Sequence, residues 1–298
     1  MSQWTLDDLR RLDKKYAEDG IHVHQRPLAA AMDILGTDFR LGFFSNPEIQ
    51  KIVDAYTVMM PEVETSWPGA GIGMIASMDQ VRKMIFPVLF GDKVLEIWQV
   101  AGFSSNQEWW EWCREDRAIA AEVSFATADL HDFTMGLNEI EVYASEVCAS
   151  EALTLWKMSR SNLEDIANTL PNSFSHDSVI QPICMVAELS IKAALIWSGV
   201  DLNVLKGKNG HNLTYLSQAM MEKIPHRDDK QIKAVIDNMP HYVASRYKPV
   251  GLKRLQVVRL ALGVQFVAAS TLRRITKSDL AIQVESEGYP SLRPTFSI

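Results

Sequence analysis

Between positions 183 and 198 the small and apolar residues Ile183, Val186, Ala187, Ser190, Ile191, Ala194, Leu195 and Ser198 recur every three or four places, the period of one helical face. A second row, Met185, Leu189, Ala193 and Ile196, widens that stripe, so burial on more than one side is expected. Glu188 and Lys192 are the charges within it, and the acid-first spacing of four lets them pair along the helix. Gly199 supplies a left-handed end. After a loop with Gly207 and Gly210, Asn212 is the expected N-cap of a helix over 213–224 that Pro225 closes.

A still more apolar helix is predicted over 254–275. Leu255, Val258, Leu262, Phe266, Ala269 and Leu272 form one face, and Val257, Leu260, Ala261, Val264, Val267 and Ala268 widen it. Gln256, Arg259 and Gln265 inside it argue against a membrane span, since an arginine in hydrocarbon costs several kcal/mol. Such a rod needs cover, which we expect partly from its own bundle and partly from a second copy of the chain.

Upstream, Thr5-Leu6-Asp7-Asp8 reads as a capped helix start, Ile21-His22-Val23-His24 alternates, and a helix spans 26–36. Asn46-Pro47-Glu48 opens a helix over 47–60. Trp67 to Gly73 breaks any helix, and Ser77-Met78-Asp79-Gln80 has the capping-box form and predicts a helix to about 90. Residues 93–100 fit strand or helix. Ser105-Asn106-Gln107-Glu108 caps a helix bearing Trp109, Trp110 and Trp112, the pattern is weak over 123–136, and helical periodicity resumes from 137 to 170. Another helix is expected from about 230 to Tyr247. No repeat of solenoid length occurs.

The order Ala187-Glu188-x-x-x-Lys192-Ala193, Gly199, loop, Gly210-His211-Asn212-Leu213 and apolar helix resembles HEPN domains, named for higher eukaryotes and prokaryotes nucleotide-binding. A helix near 151–170, the turn Ser245-Arg246-Tyr247-Lys248-Pro249 and the long apolar helix after it extend the resemblance over roughly 147–276. It implies an up-and-down helical bundle over 147–276; the whole is expected to be mainly α, with an acidic, mostly helical domain of unassigned family over 1–146 that leaves room for a small strand element, and a tail over 277–298. It also implies a homodimer that contacts nucleotide or RNA, in a prokaryotic stress, toxin–antitoxin or phage-defence setting. The contrasting expectation is a non-catalytic dimerisation or scaffold module whose acidic N-terminal half meets a protein partner.

Charge divides along the 298 residues. Positions 1–150 sum to −12, 151–276 to +6 and 277–298 to −1, for a total of −7. Nucleic-acid binding by the whole chain is disfavoured, while the C-terminal half could attract phosphate or pair with the acidic half. Met1-Ser2-Gln3-Trp4 does not have the form of a signal peptide, and Cys113, Cys148 and Cys184 form no metal knuckle or disulfide framework, so a reducing cytoplasm is expected.

Catalytic HEPN ribonucleases carry an arginine four to six residues before a histidine, and none of the seven histidines here has one. The reverse order, His241 then Arg246 with Tyr242 and Tyr247, would place the pair about 140° apart on a helix, so it forms one site only if the helix ends between them or a second subunit contributes. The candidate phosphate-binding set is therefore Glu188, Lys192, Lys206, Lys208, His211, Asn212, His241, Arg246 and Tyr247. His211 precedes a helix N-terminus, which favours anions, and the two loop lysines add charge. Equally, Glu188 and Lys192 can satisfy each other, and His211 can simply fix its loop. Gly69-x-Gly71-x-Gly73 lacks the spacing of a dinucleotide fingerprint and the Gly-Lys of a P-loop. His22-x-His24 and Asp129-x-His131-Asp132 are ligand-type clusters without a third partner, so no metal and no cofactor are assigned. The three tryptophans could stack a base or a sugar, or serve as core.

Overall fold

The computed structural model describes residues 4–40, 46–61, 63, 69–86, 96–143, 147–207, 209–240, 250–286 and 293–298. The protein is mainly α, 67% helical, with a small two-stranded antiparallel sheet. It divides into two compact units, Met1–Pro68 and Gly69–Ile298.

In the first unit α1 (Leu6–Glu18), α2 (Arg26–Leu35) and α3 (Pro47–Met59) close on Leu9, Tyr16, Ala30, Ala31, Ile49, Ile52 and Tyr56. The expected caps form: the Asp8 amide donates to Thr5 Oγ1 at 3.3 Å, and the Glu48 amide donates to Asn46 Oδ1 at 3.0 Å. The Tyr16 hydroxyl donates to Asp33 at 2.8 Å. Ile21 to His24 do not alternate as a strand; they form the turn between α1 and α2, with the His22 and His24 rings stacked at 5.9 Å.

The second unit begins with β1 (Gly71–Ser77) and β2 (Gln80–Phe86), then α4 (Ile97–Val100), α5 (Asn106–Trp112), α6 (Arg117–Tyr143), α7 (Val147–Thr169), α8 (Ile180–Trp197) and α9 (Leu202–Leu205). It continues through α10 (Leu213–Lys223), α11 (Asp229–Asp237), α12 (Arg254–Arg273) and α13 (Leu280–Ser286). The helix expected from Ser77 is instead the second arm of a hairpin. Ser77 pairs with Gln80, and Met78 takes a left-handed φ of 59° that a helix cannot contain. β1 is buried along its whole length because α6, α7 and α12 pack on it.

The glycine run serves this packing. A Cβ on Gly71 would collide with Thr134 of α6, and one on Gly73 would lie 2.6 Å from Gln265 Oε1 and 2.8 Å from Leu130. The weak pattern over 123–136 belongs to the middle of α6, a continuous helix of 27 residues. Its faces meet α12, β1 and α13, so no single stripe emerges. Its hydroxyls return to their own helix, Ser124 to the Ala120 carbonyl at 2.8 Å and Thr127 to that of Val123 at 2.9 Å.

The division expected near residue 146 falls within the second unit. α6 packs chiefly on α12 and β1, hardly on α7, while α7 packs on α8 and α8 on α12. Residues 117–143 thus share one core with residues 254–273. The helix expected to reach Tyr247 ends as α11 at Asp237, and residues 241–249 lie outside the described ones.

No residue of α12 is exposed. Within the chain it is covered by α6, α8, α11 and β1. Residues 176–197 and 254–273 are long and apolar enough to cross a membrane, and 78% of each apolar window is buried inside the fold, as in core helices.

Gln265, fully buried on α12, closes the edge of β1. Its Oε1 accepts from the Met74 amide at 3.0 Å, and its Nε2 donates to the carbonyls of Met74 at 3.1 Å and Ala126 at 2.8 Å. Gln265→Leu should therefore destabilise the second unit by about 1–3 kcal/mol for each main-chain group left unpaired. Urea denaturation reads this loss, and an unchanged midpoint would mean that Gln265 does not hold the sheet edge.

Candidate functional site

The α8–α10 corner gathers residues from two segments of the chain. α8 carries Glu188 and Lys192 one turn apart, and their side chains are 5% and 11% exposed, so this is a buried pair rather than a surface one. Lys192 Nζ donates to Glu188 Oε1 at 2.7 Å. The loop returning from α8 brings His211 onto the same carboxylate, with Nδ1 3.1 Å from both oxygens. That loop is set by backbone geometry. Gly199 ends α8 with φ of 89°, the Val200 amide donates to the Leu195 carbonyl at 3.0 Å, and Gly210 lies so close to the Leu205 carbonyl that a Cβ would collide with it. Asn212 then caps α10 by accepting from the Tyr215 amide at 3.0 Å.

Of the expected set, Glu188, Lys192, His211 and Asn212 meet at this corner. Lys206 closes the four-residue α9 and is exposed, and among the described residues no hydrogen bond or ion pair joins it to Glu188. Lys208, His241, Arg246 and Tyr247 lie outside the described residues. The His211 side chain is 63% exposed, so the corner is a buried carboxylate that steadies a buried ammonium and an outward imidazole. It holds no activated thiol. Burial and the Glu188 charge push the Cys184 thiol up to about 12.

A second polar cluster was not foreseen. Arg273, in the last turn of α12, is fully buried and contacts Asp129 at 2.5 Å, Asp132 at 2.6 Å and Asp228 at 3.3 Å. Arg293 places both terminal nitrogens on Asp129, at 2.9 and 2.7 Å, with its guanidinium over the Phe125 and Phe266 rings. Asp132 also accepts from the Leu280 and Ala281 amides, at 2.6 and 3.2 Å, at the head of α13. The Asp129-x-His131-Asp132 cluster therefore binds a guanidinium, and His131 Nδ1 sits on Asp132 at 2.8 Å. Among the described residues no group of three metal-ligating side chains converges.

Burial alone would raise the Asp132 and Asp228 carboxyls. A histidine hydrogen bond and the Arg273 charge outweigh it at each and hold both below the usual range. Burial alone would lower Arg273, but Asp129, Asp132 and Asp228 outweigh it and raise its pKa. The signal for this cluster is two carboxylates three apart within a helix, which require a cation once they are buried.

Compared with protein-family models, with curated proteins and with solved structures, the chain matches none.

Because the folded carboxyls at Asp132 and Asp228 lie below their unfolded value, their stabilisation is complete above about pH 4 and is lost as pH falls through that value toward the folded pKa. Asp228→Asn should shrink the stability difference between about pH 7 and about pH 3.5 in urea denaturation, and an unaltered difference would remove Asp228 from the acid response. Arg273→Met takes the shared guanidinium from three buried carboxylates and should cost about 3–5 kcal/mol at neutral pH by the same measurement.

Proposed function

We propose that the second unit is a HEPN-like helical bundle that contacts the phosphate of a nucleotide or RNA at the α8–α10 corner, in the stress, toxin–antitoxin or phage-defence setting that such domains serve. The observation that supports this is convergence. Lys192 from one motif and His211 from the other, 19 residues beyond it, both meet the Glu188 carboxylate, at 2.7 and 3.1 Å. In this reading Glu188 and Lys192 orient His211, whose exposed ring meets the phosphate, while Lys206 and Lys208 supply charge and Asn212 holds the helix start. His241, Arg246 and Tyr247 join the set through the family resemblance. Nucleic-acid cleavage is not part of the proposal, because no histidine has the arginine spacing of the catalytic members.

A second reading, a non-catalytic module for a protein partner, draws on one observation. Glu188 already balances Lys192, so the buried part of the corner carries no surplus positive charge.

Titration of short single-stranded RNA and of ATP at stepped salt separates the two. Phosphate contact predicts affinity that falls steeply with salt and weakens roughly tenfold in His211→Ala and in the Lys206→Ala/Lys208→Ala double variant, with unchanged thermal midpoints. His211 is the cleaner probe because it is mostly exposed, whereas Lys192→Ala would leave a buried carboxylate short of its cation. Binding equal to the parent in both variants, or salt-insensitive binding, would leave the scaffold reading in its place.

A further inference from the structure

At the α5–α6 corner Trp109 joins the core and Trp110 packs against it, but their polar edge and their neighbours serve neither the core nor the α8–α10 corner. A cleft of about 350 Å³ opens there, lined by Asn106, Trp109, Trp110 and Arg117. Trp109 is 8% exposed, and its indole N–H is buried with no acceptor among the described residues. An indole can only donate, and a buried donor without an acceptor is destabilising. Neither the Asn106 amide nor the Arg117 guanidinium has a hydrogen-bond or ion-pair partner among the described residues. Arg254, Arg259 and Arg273 of the same unit are all engaged by carbonyls or carboxylates.

Backbone strain accompanies the cleft. The turn from α5 to α6 passes through two consecutive non-glycine residues in the left-handed region, Arg114 at φ 60° and Glu115 at φ 54°. It is held by the Arg114 amide on the Glu111 carbonyl at 2.8 Å and the Glu115 amide on that of Trp110 at 3.0 Å. This turn returns the chain so that Arg117 shares a wall with Trp110.

Charge and shape select the ligand. Residues 106–117 hold Glu108, Glu111, Glu115 and Asp116 against Arg114 and Arg117, a surplus of acid that repels phosphate and leaves a neutral molecule unopposed. The Trp109 and Trp110 rings lie 6.4 Å apart at 45°, and the negative face of an indole attracts the polarised C–H groups on one side of a sugar ring. Hydroxyl groups accept from a guanidinium and exchange hydrogen bonds with an amide. We propose that this cleft binds a neutral pyranose sugar, stacked on Trp110 with its hydroxyls on Asn106 and Arg117. The inference is independent of the phosphate reading.

The test is saturation-transfer NMR on the full chain with glucose, galactose, mannose and N-acetylglucosamine, and with AMP as an aromatic anion. At least one sugar should give a saturable signal concentrated on ring C–H protons, weakened about tenfold or more in both Trp110→Ala and Arg117→Ala at unchanged circular dichroism. Arg117 is exposed, so its variant decides the matter should Trp110→Ala fail to fold. No saturable signal from any of the four sugars overturns the proposal, as does parent-like binding in the Arg117 variant. A stronger response to AMP than to every sugar overturns it in favour of a nucleotide.

Discussion

A helix with most of its surface buried forces its surroundings into place. α12 has no exposed residue, yet it carries a glutamine at its centre and an arginine in its last turn, both buried. An amide or a guanidinium taken out of water without partners would cost more than its neighbours' packing returns. Gln265 therefore fixes β1 and α6 by three hydrogen bonds, and Arg273 fixes Asp129 and Asp132 of α6 and Asp228 at the head of α11. Apolar contact could tolerate a helix sliding or turning by a few degrees. These directed bonds do not, so they set the register of hairpin, α6 and α12 together.

This constraint also explains which parts of the fold were legible. Caps are local, and those at Thr5, Asn46, Ser105 and Asn212 could be read from four residues each. The stripe of α8 was legible because few charges interrupt it. The hairpin was not: Ser77-Met78-Asp79-Gln80 satisfies a helix-start pattern, and only burial of β1 beneath three helices, a nonlocal fact, favours the strand. α6 was obscured for the opposite reason, being covered on several sides so that its apolar residues follow no single period.

The candidate site was half legible for the same cause. Glu188 and Lys192 are neighbours by helical spacing alone, while His211 reaches them through a loop whose path depends on Gly199 and Gly210. Arg273 was hidden because one cation at the end of a greasy helix reads as a solvated terminus. Its partners lie 141 and 144 residues upstream, and nothing local ties them to it.

The division of charge along the chain takes on a different meaning in this light. The basic surplus of the C-terminal half invites a phosphate-binding face, but several of its arginines are engaged inside the fold. Arg273 and Arg293 neutralise Asp129 and Asp132 of the acidic half, Arg274 holds Asp229, Arg227 holds Asp279, and Arg254 is spent on the carbonyls of Leu170 and Pro171. Part of the charge division is thus complementarity inside the second unit, where Arg273 and Arg293 face Asp129 and Asp132 of α6. Exposed Lys206, beside the corner where His211 meets Glu188, lies outside the pairs named above.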